Sequence, residues 1–130
     1  MLFRSTPVSP ELLPADESGK IAQKTEDLVG PYELHDFFLY HLLRYGFTPA
    51  KLFRMARYAL GETYDNATVL KWLETFHRRF FTQQFKRSCL PDGPAVFAVG
   101  VSPRGGWVMP SDAVSALWMA EISELKEQYL

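Results

Sequence analysis

P-Y-E-L-H-D-F-F-L-Y-H-L-L-R-Y-G-F-T-P-A-K-L-F-R-M-A-R-Y-A-L-G, residues 31 to 61, holds two helix patterns and the stop between them. Leu34, Phe37, Phe38, Leu42 and Tyr45 recur at helical spacing. Pro31 suits a first helical position and Gly46 a C-terminal cap, which predicts a helix over about 32–45. A second helix is predicted over about 49–60, with Thr48 as N-cap and Pro49 at its first position. Leu52, Phe53, Ala56 and Leu60 form its apolar stripe, and Gly61 ends it.

Downstream, Asp65 or Asn66 can cap a third helix over about 66–84, with Val69, Leu70, Leu73, Phe76 and Phe80 on one face. Residues 88 to 110 then carry Pro91, Gly93, Pro94, Gly100, Pro103, Gly105, Gly106 and Pro110, which predict a long irregular loop. Within it, Val96 to Val101 read as a short strand. Ser111 suits the cap of a last helix over about 112–128, with Val114, Leu117, Trp118, Ile122 and Leu125 facing the core. Upstream, residues 5 to 31 show no period and are broken by four prolines and by Gly19 and Gly30. A structureless stretch of that length is usually functional or disordered. The reading is mainly α: three closely connected helices, a long irregular loop with a short strand, and a C-terminal helix. Residues 1–31 form an irregular segment and 32–130 the helical part.

The 130 residues are 47% apolar and 22% charged, as in an ordinary soluble domain. A net charge of −1 gives no global reason to expect nucleic acid or an anionic membrane. The single cysteine, Cys89, excludes an internal disulfide and fits a reducing, cytoplasmic setting. The first residues lack a signal-peptide apolar run, and no segment approaches a membrane span. Aromatic content is 15%, and much of it lies in residues 32–45 and 72–85, so it must be buried within the fold or against a partner.

No catalytic set emerges. Lys86 and Arg87 stand near Cys89, but no histidine does. His35, His41 and His77 lack ligand spacing, and no glycine-rich phosphate loop is present. One constellation remains: from His77 to Arg104 the bases are Arg78, Arg79, Lys86, Arg87 and Arg104, against the single acid Asp92. Two readings stay open. Bases at a helix end complement the helix dipole on a solvated face; alternatively they grip an anion, with Phe80, Phe81 and Phe85 packing or stacking beside them. Single-stranded nucleic acid would suit such interleaving, but the slightly acidic chain and the lack of an RNA-binding signature argue against it.

The runs L-V-G-P-Y-E-L-H-D-F-F-L-Y-H-L-L-R-Y-G-F-T-P-A-K (28 to 51), R-R-F-F-T-Q-Q-F-K-R-S-C-L-P-D-G-P (78 to 94) and S-P-R-G-G-W-V-M-P-S-D-A (102 to 113) closely resemble the C-terminal end of glutamine-dependent NAD+ synthetase. The resemblance covers about residues 7 to 122. It implies a full enzyme with a nitrilase-like glutaminase domain carrying a Glu-Lys-Cys triad, and a Rossmann-like α/β ATP pyrophosphatase domain. There ATP adenylates deamido-NAD+ and ammonia displaces AMP. An S-G-G-x-D-S loop and Mg2+ hold the ATP phosphates. Neither that loop nor the triad context is present here, so the resemblance implies the last part of the synthetase domain. Such a part is expected to be inactive alone and to bind no cofactor by itself.

The resemblance carries over two positions. V-S-P-E-L resembles a motif whose hydroxyl residue contacts ATP, which is Ser9 here. Q-F-K-R resembles a motif whose lysine contacts deamido-NAD+, which is Lys86 here, with Arg87 beside it. Gln23 to Gly30 resemble the flexible loop that closes over the site. The implied partners are the remaining synthetase and glutaminase domains and further copies in a homo-oligomer, with no nucleic acid and no membrane. Gly106 stands where the family usually has an acid, and residues 93 to 101 are more apolar than usual there. The alternative reading is a helical interaction module that binds a partner through its aromatic and basic face.

Overall fold

The computed structural model describes residues 25–130, and these are mainly helical, with no strand among them. A short helix, α1 (Thr25–Val29), precedes α2 (Tyr32–Tyr45), α3 (Pro49–Leu60) and α4 (Asn66–Thr82). One further turn, α5 (Gln84–Ser88), follows α4, and α6 (Ala116–Tyr129) ends the chain after a long irregular segment. α4 is the central element and touches α2, α3 and α6. The four longer helices build this core by the stripes their spacing dictates: Leu34, Phe38 and Leu42 from α2, Leu52, Phe53 and Ala56 from α3, and Ile122 from α6 are all essentially inaccessible. Val69, Leu70 and Leu73 of α4 meet them, with Phe76 and Phe80 completing the face. Each Val, Leu, Ile or Phe side chain so removed from water contributes about 1.5–3 kcal/mol.

Local chemistry sets the helix boundaries. Gly46 takes the left-handed conformation (φ 64°); its N–H donates to the Leu42 carbonyl and the Phe47 N–H to the His41 carbonyl, which closes α2. Asp65 caps α4, its carboxylate accepting from the Thr68 N–H at 2.7 Å. Thr48 has the extended backbone of an N-cap, but its hydroxyl does not turn back onto α3. It donates instead to Glu121 Oε1 of α6 at 3.0 Å, and the same oxygen accepts from the Ala50 N–H at 3.1 Å. A distant carboxylate therefore supplies the cap that the local hydroxyl was expected to give.

Several expectations are corrected. The irregular segment expected up to residue 31 contains α1, whose Glu26 carboxylate accepts from the Tyr32 N–H at 3.1 Å and so covers the start of α2. Pro31 precedes α2 as its N-cap. The third helix breaks at Gln83 (φ −109°, ψ 21°), and Gln84 to Ser88 form a separate turn. The strand expected at residues 96–101 does not form: Val96 and Phe97 are exposed, and no strand among the described residues offers an edge to pair with. The last helix begins at Ala116 after a Ser115 N-cap, so Ser111 is not its cap. Val114 and Leu117, expected in the core, are 79% and 84% exposed, and Tyr45 and Phe85 also face solvent. Apolar character alone did not place these four side chains. None of the described helices is long and apolar enough to cross a membrane.

Candidate functional site

The basic, Phe-rich sequence folds into the junction between α4 and α5. Phe76 and Phe80 point inward along α4, which sets Arg79 at the edge of the core and leaves Arg78 exposed. At Gln83 the chain leaves helical geometry. The Lys86 N–H then donates to the Gln83 carbonyl at 3.1 Å, and the α5 turn starts. This brings Lys86 and Arg87 back beside Arg79.

The three cations line one groove of about 260 Å³. Its walls are largely apolar: Leu39 from α2, Phe76 and Phe80 from α4, and Val101 from the long loop. His35 also lines it, and no carboxylate among the described residues does. Burial first, and the nearby Arg79 charge in addition, hold the His35 pKa below the ordinary histidine value, while Asp36 opposes the shift. His35 is therefore neutral at physiological pH and adds no positive charge.

The cations differ in their commitments. Arg87 donates to the Phe80 carbonyl at 2.6 Å and to Gln84 Oε1, and its guanidinium lies 4.0 Å from the Phe80 ring centroid. Burial lowers its pKa from the usual arginine value, though a guanidinium stays charged at neutral pH. Its bonds tie α5 to the last turns of α4. Lys86, by contrast, is exposed and makes no ion pair or side-chain hydrogen bond among the described residues. Of the two bases singled out in Q-F-K-R, one braces the groove and the other stands open to a ligand. Ser9, the third residue singled out, lies outside the described residues.

The long loop is fastened to the same junction. Gln84 is 98% inaccessible, and its Nε2 donates to the Met109 carbonyl at 3.1 Å. Trp107 packs edge-on to Phe80, ring centroids 5.8 Å apart. Arg104 bonds the Leu90 carbonyl and pairs with Asp92 at 2.8 Å, closing the loop on itself. Gly106 belongs to this closure: a Cβ there would meet the Gly100 carbonyl oxygen at 2.3 Å, so an acid could not occupy this turn unchanged. The broad concavity under the loop, about 780 Å³, presents Asp92 and Arg104 already paired with each other. Sequence reasoning gave Gln84 no role, read Val101 as the end of a strand and weighed His35 only as a metal ligand. No local sequence signal marks these three as residues of the groove region, because their contacts come from segments far apart in the chain.

No group of three His, Cys, Asp or Glu side chains among the described residues is placed to hold a metal. Cys89 is a free, exposed thiol. His77, in contrast, is wholly buried against Phe76 and Trp118, with Nδ1 2.9 Å from the Leu73 carbonyl. It is a core residue.

The glutamine-dependent NAD(+) synthetase of Mycobacterium leprae (strain TN) is 39% identical to this chain over 135 aligned residues, 90% of the chain. That of Mycobacterium tuberculosis (strain ATCC 25618 / H37Rv) is 38% identical over the same share. This chain is related to part of glutamine-dependent NAD(+) synthetase. It spans about a fifth of the length of these curated relatives, 20% in each case. No protein-family model matches the chain. The relation to NAD(+) synthetase covers the groove region and the helices that carry it, because nine-tenths of the chain takes part.

Proposed function

We propose that this chain is the C-terminal part of the synthetase domain of a glutamine-dependent NAD+ synthetase, where it helps to hold deamido-NAD+ while ATP and ammonia convert that dinucleotide to NAD+. One observation carries the proposal: Lys86 stands, unpaired among the described residues, at a groove whose described walls are basic and apolar and hold no carboxylate. A dinucleotide offers such a groove what it lacks, negative charge beside flat apolar rings. Lys86 supplies a point charge to an anionic group, and Phe80 with Val101 supplies apolar surface. Arg87 keeps the α5 turn in place so that Lys86 faces the groove. ATP, with Ser9 as a contact, and Mg2+ belong to the wider site formed with the rest of the enzyme. Among the described residues no group of three His, Cys, Asp or Glu side chains is placed to hold a metal. In this reading the partners are the remaining synthetase residues, the glutaminase domain that delivers ammonia, and other copies in a cytoplasmic homo-oligomer.

The test uses the chain joined to the remaining length found in its relatives. Lys86→Ala is expected to raise the KM for deamido-NAD+ by about tenfold or more, the scale of one charge-assisted contact, and to leave the KM for ATP within about twofold. An unchanged dinucleotide KM would remove Lys86 from the site. The 130-residue chain alone is expected to give no NAD+ from deamido-NAD+, ATP and ammonia. A second reading, an interaction module, draws on the exposed Val96, Phe97, Val108 and Leu117. In that case a partner would bind the chain with Lys86 dispensable.

A further inference from the structure

We infer that Arg79 is the second ligand-facing cation of the Lys86 groove, and that the groove takes a molecule with phosphoryl groups able to bridge the two, while the adjacent Arg78 takes no part. The inference rests on the reading of Lys86 given above and extends it to a residue that the sequence left as surface charge.

The argument begins with which cations are already engaged. Arg104 is paired with Asp92 and Lys126 with Glu74. Lys51, Arg57 and Lys71 lie over aromatic rings, and Arg87 is bonded to Phe80 and Gln84. Arg44, Arg54 and Arg78 are exposed and solvated. Arg79 belongs to none of these groups. It is partly buried, it lines the groove, and among the described residues its guanidinium has neither a carboxylate partner nor a side-chain hydrogen bond. Partial removal of an arginine from water without a counter-charge is unfavourable, and an anion bound in the groove reverses that cost.

Geometry points the same way. Arg79 lies on the last turns of α4, and Lys86 on the α5 turn beyond the break at Gln83. An unbroken helix would carry the two along one face about two turns apart. The break at Gln83 instead folds the α5 turn so that both side chains border the same cavity, with Val101 as a wall. Among the described residues the groove lining holds no acid, and His35 is kept neutral, so the field they set up inside it comes from Arg79, Lys86 and the internally bonded Arg87. A guanidinium gives a planar fork of donors and an ammonium a compact charge, a combination that suits adjacent phosphoryl groups.

The test titrates the 130-residue chain with inorganic pyrophosphate and follows backbone amide resonances by NMR. The unliganded spectrum of each variant reports its fold. Saturable shifts are expected at Gln83, Lys86 and Val101. Arg79→Ala and Lys86→Ala should each weaken binding about tenfold, Arg78→Ala less than about twofold, and Arg79→Lys should retain part of the affinity. Should Arg79→Ala disturb the fold, Arg79→Gln, which keeps part of the stem without the charge, takes its place. Loss on Lys86→Ala with none on Arg79→Ala would overturn the role of Arg79 and leave Lys86 standing. Equal losses for Arg78→Ala and Arg79→Ala would reduce the effect to diffuse charge and also overturn it. No saturable shift at the groove, or binding indifferent to Lys86→Ala, would remove the reading on which the inference rests.

Discussion

Two adjacent bases, Lys86 and Arg87, received the same role from a motif, and their surroundings separate them. The Arg87 fork is occupied by a carbonyl, an amide oxygen and the face of Phe80, whereas the Lys86 ammonium meets nothing within the described residues. His77 shows the same divergence in the opposite direction. It opens the basic run in sequence, yet burial makes it a neutral core residue with its pKa lowered to about 4. Such a residue ties stability to pH. The unfolded chain takes up the proton near the ordinary value of 6.5 and the folded chain only near 4. Stability from His77 is therefore full above 6.5 and falls as the pH drops toward 4, by about 3 kcal/mol at most. Urea unfolding at pH 7 and pH 5 should show that loss, and His77→Leu should flatten it. His35 and His41, also lowered by burial, leave a smaller residual slope of the same sign.

At the scale of elements, the ends of the helices hold more information than their middles. The stripes of α2, α3 and α4 lie where the spacing of apolar residues puts them, because a period of 3.6 residues and a single buried face leave little choice. The ends depend on what arrives from elsewhere. Glu121 of α6 accepts from both Thr48 and the Ala50 N–H, so the start of α3 is capped by a residue more than half the chain away. Glu121→Ala is expected to destabilise the fold by about 1–2 kcal/mol, more than Thr48→Val, since the latter leaves the Ala50 N–H satisfied. Chemical denaturation of both variants checks the ranking, and a larger loss for Thr48→Val would contradict it. Gly30 offers another example: it has φ 92°, and a Cβ would lie 2.4 Å from Cδ2 of Trp72. The link between α1 and α2 passes against α4 only because glycine is there.

For the molecule as a whole, α4 organises both the core and the groove: one face packs on α2, α3 and α6, and its C-terminal end leads into Lys86. Apolar residues that the local pattern assigned to the core but that α6 turns outward, chiefly Leu117, contribute little to the chain's own stability. Leu117→Ser should change the unfolding free energy by less than about 0.5 kcal/mol, whereas Ile122→Ala, at 1% exposure, should cost about 2–5 kcal/mol. Thermal or urea unfolding separates the two. A large loss for Leu117→Ser would place that side chain in a buried contact.

By itself the sequence determined the helical class, the extents of α2 and α3, the core stripe of α4 and the presence of a basic run worth scrutiny. Each follows from local spacing, from glycine and proline punctuation and from one cap carboxylate, all of which act within a few residues. Tertiary structure alone decided which bases are engaged, because Arg87 meets Phe80, Gln84 meets Met109 and Val101 walls the groove only after the chain breaks at Gln83 and the long loop returns. It also decided that residues 96–101 form no strand, since a strand needs a neighbouring edge that a helical core does not provide. The basic stretch could be read as a surface or a site from its composition; the distinction lies in contacts between segments far apart in the chain.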